Sequence, residues 1–210
     1  MTTVGTFISF EGIEGVGKST QMREAAKHLS AAGQRVLATR EPGGTPLAER
    51  IRQVVLHEKD EGLPASAELC LMFAARAVHV NNLIRPALQR GECVLCDRYL
   101  DATFAYQGGG RGVPDADIQA LAQLTCGDLL PQLTILLDAP VEIALQRMAE
   151  RGTATDRFEQ ETVAFFERVR RKYLSLAKAH PQRIVCVDAS QGLAAVAMAV
   201  RQALQSRGLL

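Results

Sequence analysis

The sequence predicts an α/β three-layer sandwich, with a five-stranded parallel sheet flanked by helices and a lid segment, in one domain spanning residues 1–210. Three observations lead there. Five short runs, at residues 6–10, 35–39, 93–96, 133–137 and 183–187, are apolar or β-branched almost throughout. They lack the alternation of a half-exposed strand, as strands covered on both faces do. Helical patterns separate the runs, and strands alternating with helices form right-handed parallel crossovers. A chain of 210 residues that is 47% hydrophobic and 22% charged has the size and composition of one ordinary globular domain.

The helical patterns follow in order. The first, 19–32, ends at Gly33, a residue suited to the left-handed position after a helix. The second, 67–90, ends at Gly91 and contains Pro86, which should kink or divide it. The third, 115–126, opens with Asp115 as a capping residue, and the fourth, 141–151, follows Pro140, a first-turn residue. A fifth at 158–179 stops before Pro181, and a sixth at 193–206 closes the chain. The glycines between 108 and 112 read as a flexible loop with Arg111 in solvent. The small polar residues 152–155 read as the moving part of a lid at about 147–160.

Charge excludes some functions. The 24 basic residues, 5 Lys and 19 Arg, face 23 acidic ones, so the net charge is +1. A protein that coats nucleic acid polymers carries a larger basic excess, and 5% aromatic residues with no Trp leave little for base stacking. The odd cysteine count, five, with mostly apolar neighbours predicts buried free thiols. Cys93 and Cys96 form C-x-x-C on a strand, where they point to opposite faces, which favours a structural strand over a metal or redox site. No basic leader and no run near ~20 apolar residues is present. The expectation is a cytoplasmic protein with no membrane partner.

The chemistry begins after the first strand. Gly12, Ile13, Glu14, Gly15, Val16, Gly17, Lys18 and Ser19, followed by Thr20, match G-x-x-x-x-G-K-[ST] at every fixed position. A chance match in a chain of this length has a probability of about 1%, and the flanking strand and helix lower it further. Glycines let successive N–H groups converge on a phosphate, Lys18 reaches the β- and γ-phosphates, and the Ser19 hydroxyl can ligate Mg²⁺. This places the chain among P-loop NTPases that bind ATP or GTP; ATP and Mg²⁺ are the cofactors expected of the kinase reading below. A GTPase switch would carry D-x-x-G and N/T-K-x-D, and neither occurs. A small kinase needs a second anion site and a lid bearing arginines. Arg40 follows the second strand at the sheet edge where α/β folds bind ligands. Asp97 ends the third strand opposite the loop, placed to hold Mg²⁺. Arg151 and Arg157 flank the lid loop.

The phosphate loop with Phe10 and Glu11 before it, the stretch from Thr39 to Thr45, Phe73 to Arg76, Asp97-Arg98-Tyr99, Ala105 to Gly108, and Asp156 to Glu159 together resemble the thymidylate kinases. Within that family the chain resembles the bacterial form with no Arg in the phosphate loop and arginines in the lid. The resemblance implies a homodimer and dTMP as the acceptor substrate. It implies that Arg98 clamps the acceptor phosphate, that Arg52 belongs to the same pocket, and that Glu14 meets the 3′-hydroxyl. Arg76 would read the base at O4, with Thr103 and Gln107 on the base edge and Tyr106 crowding the sugar 2′ position. Four residues before Arg76, where the family offers a stacking Phe, stands Met72, with Phe73 three before; Phe73, Met72 or both would cover the base. Ala102 stands where a hydroxyl residue is common. Lys18, Arg98, Arg151 and Arg157 are the expected catalytic groups. The alternatives are a kinase for another nucleoside monophosphate and a nucleotide-binding regulatory switch.

Overall fold

The computed structural model describes residues 5–58, 62–151 and 157–210; the loop expected at 152–155 and the Arg151 side chain lie outside this description. Five parallel strands, β1 (Phe7–Glu11), β2 (Val36–Arg40), β3 (Cys93–Asp97), β4 (Leu133–Asp138) and β5 (Ile184–Asp188), form one sheet in the order β2-β3-β1-β4-β5. Central β1 pairs with β3 through Phe7↔Val94 and with β4 through Ile8↔Leu133. Every strand runs one residue further than its apolar run, and all five end on a charged residue: Glu11, Arg40, Asp97, Asp138 and Asp188. Backbone donors continue the ladder whatever the side chain, so the carboxyl edge becomes a row of charge.

The two faces of β1 feed separate cores. Ile8 and Phe10 join the large cluster with Leu29, Phe166 and Val200, while Phe7 packs with Val80, Ile84 and Tyr99. Cys93 and Cys96 fall into different clusters, on opposite faces as expected. Cys70 and Cys186 are exposed thiols, against the expectation of burial.

Helix α1 (Lys18–Ala31) leaves the phosphate loop and α2 (Pro46–His57) starts from a Thr45 cap, whose Oγ1 accepts from the Ala48 N–H. The long pattern around Pro86 is one rod in three parts: α3 (Ala65–His79), a π-helical turn Val80–Ile84, and α4 (Arg85–Gln89). The wide turn absorbs the ladder bond that Pro86 cannot make. Short α5 (Leu100–Thr103) runs into a second π-helical segment, Phe104–Gly110, followed by α6 (Asp115–Thr125) and α7 (Val141–Arg151). Pro114, not Asp115, caps α6; Asp115 instead accepts from Lys172 Nζ at 2.5 Å. Helix α8 (Val163–Ala179) starts at a Thr162 cap, five residues later than expected, and α9 (Leu193–Ser206) closes the chain as expected.

The glycines from 108 to 110 are not a loose loop. A Cβ on Gly109 would lie 2.7 Å from Lys172 Cβ, and one on Gly110 2.5 Å from the Phe165 ring. They let the π-helical segment press against α8. Arg111 beside them pairs with Glu68 and Glu161 and stacks on Phe165, so it is not a solvated residue. Asp138 is likewise structural, held by both Arg170 Nε and Nη2 at 2.7 and 2.9 Å. Gly110→Ala should force that contact apart, costing about 1–3 kcal/mol and lowering Tm by roughly 2–10 °C in a thermal melt; an unchanged Tm would refute the packing role.

Candidate active site

The phosphate loop is built from backbone constraints. Gly12, Gly15 and Gly17 have φ of 129°, 76° and 90°. Contact adds to conformation at two of them: a Cβ on Gly12 would meet Leu137 O at 2.3 Å, and one on Gly15 would meet Ala144 O at 2.1 Å. Between the glycines, Ile13 and Val16 are buried and pin the loop to the core. Lys18 Nζ donates to Gly12 O at 3.1 Å and Ile13 O at 2.8 Å, bridging the loop from inside. Burial and neighbouring Arg98 lower its pKa to about 8, against the pull of Asp97, Glu14 and Glu11.

At the α1 entrance the Ser19 hydroxyl donates to Asp97 Oδ2 at 3.2 Å. A hydroxyl and one carboxylate are hard oxygen donors, the partial set that Mg²⁺ takes when phosphate oxygens and waters complete its shell. Among the described residues no group of three His, Cys, Asp or Glu side chains could hold a metal by protein ligands alone. The donor set therefore fits a nucleotide-borne Mg²⁺ and not a structural zinc.

Arg98 follows β3 with φ of 69°, the left-handed conformation that costs a non-glycine residue on the order of 1–3 kcal/mol. That turn aims its guanidinium back over the loop. Nη1 donates to Gly12 O at 2.8 Å and Tyr173 OH at 3.1 Å; Nη2 donates to Glu14 Oε1 at 2.7 Å and Tyr106 OH at 3.0 Å. The Tyr106 hydroxyl in turn donates to Glu14 Oε2 at 2.5 Å. Burial works against ionisation of Glu14, but Arg98, Lys18 and this hydrogen bond outweigh it and hold the carboxyl below its usual range.

A cavity of about 420 Å³, ample for a nucleotide's phosphates, is lined by loop residues Glu14, Gly15 and Gly17 to Thr20 together with Arg23, Arg40, Arg52, Asp97, Arg98 and Arg147. A smaller one continues from it, lined by Pro42, Leu56, Met72, Ala102, Tyr106, Gln107 and Phe158. Glu14, Glu41, Arg52 and Arg98 line both, so the two meet at the Arg98 guanidinium.

Behind the smaller cavity lies a wholly buried polar group. Arg76 donates from Nε to Glu41 Oε2 at 2.6 Å and from Nη2 to Tyr99 O and Thr103 Oγ1 at 3.0 and 2.9 Å. Burial acts against its charge, and Glu41 more than offsets this, keeping the guanidinium ionised. His79 bridges Glu41 and Thr39 at 2.9 and 2.7 Å. Arg76 Nη1 alone has no partner. Gln107 mirrors it: Nε2 donates to Glu68 Oε1 at 2.7 Å, and buried Oε1 accepts nothing.

Most expected residues thus converge, with two exceptions. Phe73 sits in a separate apolar cluster with Leu69, Ile118 and Ala122, whereas Met72 lines the cavity. One helical step of 100° separates them, and the cluster with α6 claims Phe73. Arg157 turns away from the loop: Nε donates to Val55 O at 3.1 Å and Nη2 to Glu68 Oε2 at 2.6 Å. Arg40 lines the cavity but is bound to Glu49 at 2.9 Å. Sequence reading missed Arg23 and Arg147 as cavity residues. Arg147, on the outer stretch of α7, donates to Ala189 O and Ser190 O, and spacing alone does not reveal that turn as its neighbour.

Comparison with known proteins agrees with this geometry. A family model described as thymidylate kinase matches residues 10–200. A thymidylate kinase of Pseudomonas syringae pv. tomato is 59% identical over 192 residues, 91% of each chain. One of Pseudomonas entomophila is 54% identical over 196 residues, 93% of each. A crystal structure of thymidylate kinase from Ehrlichia chaffeensis superposes with a TM-score of 0.77 at 33% identity, covering 96% of this chain and 98% of that one. The chain belongs to the thymidylate kinase family.

Proposed function

We infer that this protein is a kinase that transfers the γ-phosphoryl of ATP to dTMP, giving dTDP and ADP. Family membership supports the reaction, and it does not favour another monophosphate kinase or a regulatory switch. The observation that carries the acceptor's identity is the pair of unsatisfied atoms behind the smaller cavity. Arg76 Nη1 is a donor and Gln107 Oε1 an acceptor. Thymine presents a carbonyl oxygen at O4 and an N–H at N3, which satisfies both. Met72 covers the base, Thr103 holds Arg76 against its edge, and Tyr106 closes the sugar side.

The ATP phosphates lie on the loop from Gly12 to Thr20, where backbone N–H groups and the α1 N-terminus face them. Lys18 exchanges its two loop carbonyls for phosphate oxygens. Ser19 and Asp97 would hold Mg²⁺, which when bound offsets charge between the β- and γ-oxygens. The acceptor phosphate has a second pKa of about 6 and is already ionised near neutrality, so no general base is needed. Arg98, with Arg40 and Arg52 beside it, clamps that phosphate where the cavities join. Glu14 positions Arg98 and meets the sugar hydroxyl. Arg151 closes over the transferring group, while Arg157 fastens the lid to α2 and α3. We further propose a single-domain enzyme with a lid at about 147–160, acting as a cytoplasmic homodimer; the nucleotide substrates and the bacterial relatives support this.

Three outcomes test the reading. In a coupled ADP-release assay across monophosphates, dTMP should exceed dCMP by roughly 10²-fold in kcat/KM; preference for a purine or a ribonucleotide overturns it. Arg151→Ala should lower kcat by about 10³-fold, as loss of an arginine finger does, and Arg157→Ala far less, since its guanidinium is turned away from the phosphates. Equal losses in single-turnover rates would contradict that division. Finally, Lys18 in the free enzyme is half charged near pH 8 and becomes fully charged on binding polyphosphate. Binding therefore takes up roughly half a proton at pH 8 and almost none at pH 6, and affinity weakens as pH rises beyond 8. Calorimetry in buffers of different ionisation enthalpy should show this uptake, and Lys18→Met should abolish it.

A further inference from the structure

Glu68 lies in the first turn of α3, is wholly buried, and lines neither cavity. Three side chains from two segments donate to it. Gln107 Nε2 reaches Oε1 at 2.7 Å; Arg157 Nη2 reaches Oε2 at 2.6 Å; Arg111 Nε spans both oxygens at 3.5 and 3.3 Å. A structural account covers the two guanidinium pairs, which tie the π-helical segment and the chain after the lid to α3. It does not cover the third contact, because a glutamine has an alternative. Its amide can turn over, exchanging donor for acceptor at almost no steric cost.

Glu68 removes that alternative. A carboxylate that accepts from two guanidinium groups offers Gln107 only acceptor oxygens, so the amide nitrogen must face it. The carbonyl oxygen Oε1 is then turned away from Glu68, buried and without a partner, on a residue that lines the smaller cavity. We propose that Glu68 is a positioning residue for base specificity. Without touching the substrate, it sets the Gln107 amide so that the site requires a donor at the base N3 position. Thymine and uracil carry N–H there; cytosine carries a bare acceptor nitrogen, which would meet Gln107 Oε1 lone pair to lone pair. The proposal rests on the dTMP reading above.

Glu68→Gln inverts the constraint with little change of shape. The new carbonyl oxygen goes to the two arginines, which can only donate, and the new amide nitrogen then faces Gln107. Gln107 turns over and presents its own nitrogen to the base. The expected result is a fall of roughly tenfold or more in the dTMP/dCMP ratio of kcat/KM, expressed mainly in KM. The dTMP/dUMP ratio stays within about twofold, since those bases share the same edge. In a Gln107→Leu background the same substitution should leave the dTMP/dCMP ratio unchanged. A purely structural Glu68 predicts the opposite: all three substrates lose activity together and both ratios hold, which overturns the proposal. If Glu68→Gln does not fold, neutron diffraction of the wild-type dTMP complex decides. Deuterium on the Gln107 nitrogen directed at Glu68 supports the proposal, and nitrogen directed at the base refutes it. The wild-type panel separates the two levels of inference: absence of dTMP activity there removes the kinase reading, whereas dTMP preference with an unchanged ratio in Glu68→Gln removes only this one.

Discussion

The site exists to gather phosphates, and it must hold its positive charge together before any phosphate arrives. Glu14 meets that requirement at the phosphates, and two further glutamates hold arginines outside the phosphate cavity. Glu14 holds Arg98, Glu41 holds Arg76, and Glu68 holds Arg111 and Arg157. Without Glu14, the Arg98 guanidinium and Lys18 would face one another unscreened in a low-dielectric cleft, where burial and Arg98 together already drive Lys18 down to about 8. Each carboxylate also organises something else. Glu14 aligns Tyr106, Glu41 orients His79, and Glu68 orients Gln107. The near-zero net charge of the chain is therefore compatible with a strongly basic site, because the cations of the cleft are matched locally and incoming phosphates compete for them.

The sheet explains how these charges reach one place. Parallel strands end at the same edge, and here every strand carries its charge on the last residue. Glu11 and Asp97 end neighbouring strands β1 and β3, with the phosphate loop starting directly after β1. Glu11 receives the Tyr99 N–H at 2.7 Å and the Tyr173 hydroxyl at 2.8 Å. Burial and neighbouring Asp101 still raise its pKa to about 7. It fixes the backbone of the residue after Arg98, where the chain is already in a left-handed turn.

Much of this was legible in the sequence because it depends on residue type at fixed spacing. The strands, the phosphate loop and Asp97 fall in this class, whereas Arg98 and Arg76 are implied only by the family resemblance. The strand ends were read one residue short because hydropathy does not register backbone pairing. The run from Gly108 to Gly110 looked like a loop because glycine serves close packing as well as flexibility, and only the neighbour, α8, distinguishes the two uses. Phe73 and Met72 are adjacent and both apolar; their assignment depends on where α6 lies. Arg157 resembles a lid arginine in sequence, but the partner that holds it, Glu68, is 89 residues away.

The two unmatched atoms show why specificity requires the fold and not the motif list. Arg76 Nη1 and Gln107 Oε1 are buried without partners in the free protein, and each such group costs about 1–3 kcal/mol. Keeping them unmet leaves a complementary base able to recover that free energy on binding, while a base with the opposite pattern would leave both groups unsatisfied and lose its own hydration as well. On the proposed reading, discrimination follows from these two groups and survives only if neither can relax toward another partner. Arg76 is prevented from doing so by Glu41, Tyr99 and Thr103, which occupy its remaining donors. Gln107, whose amide could turn, needs a neighbour that accepts on both oxygens, and Glu68 is placed to be that neighbour.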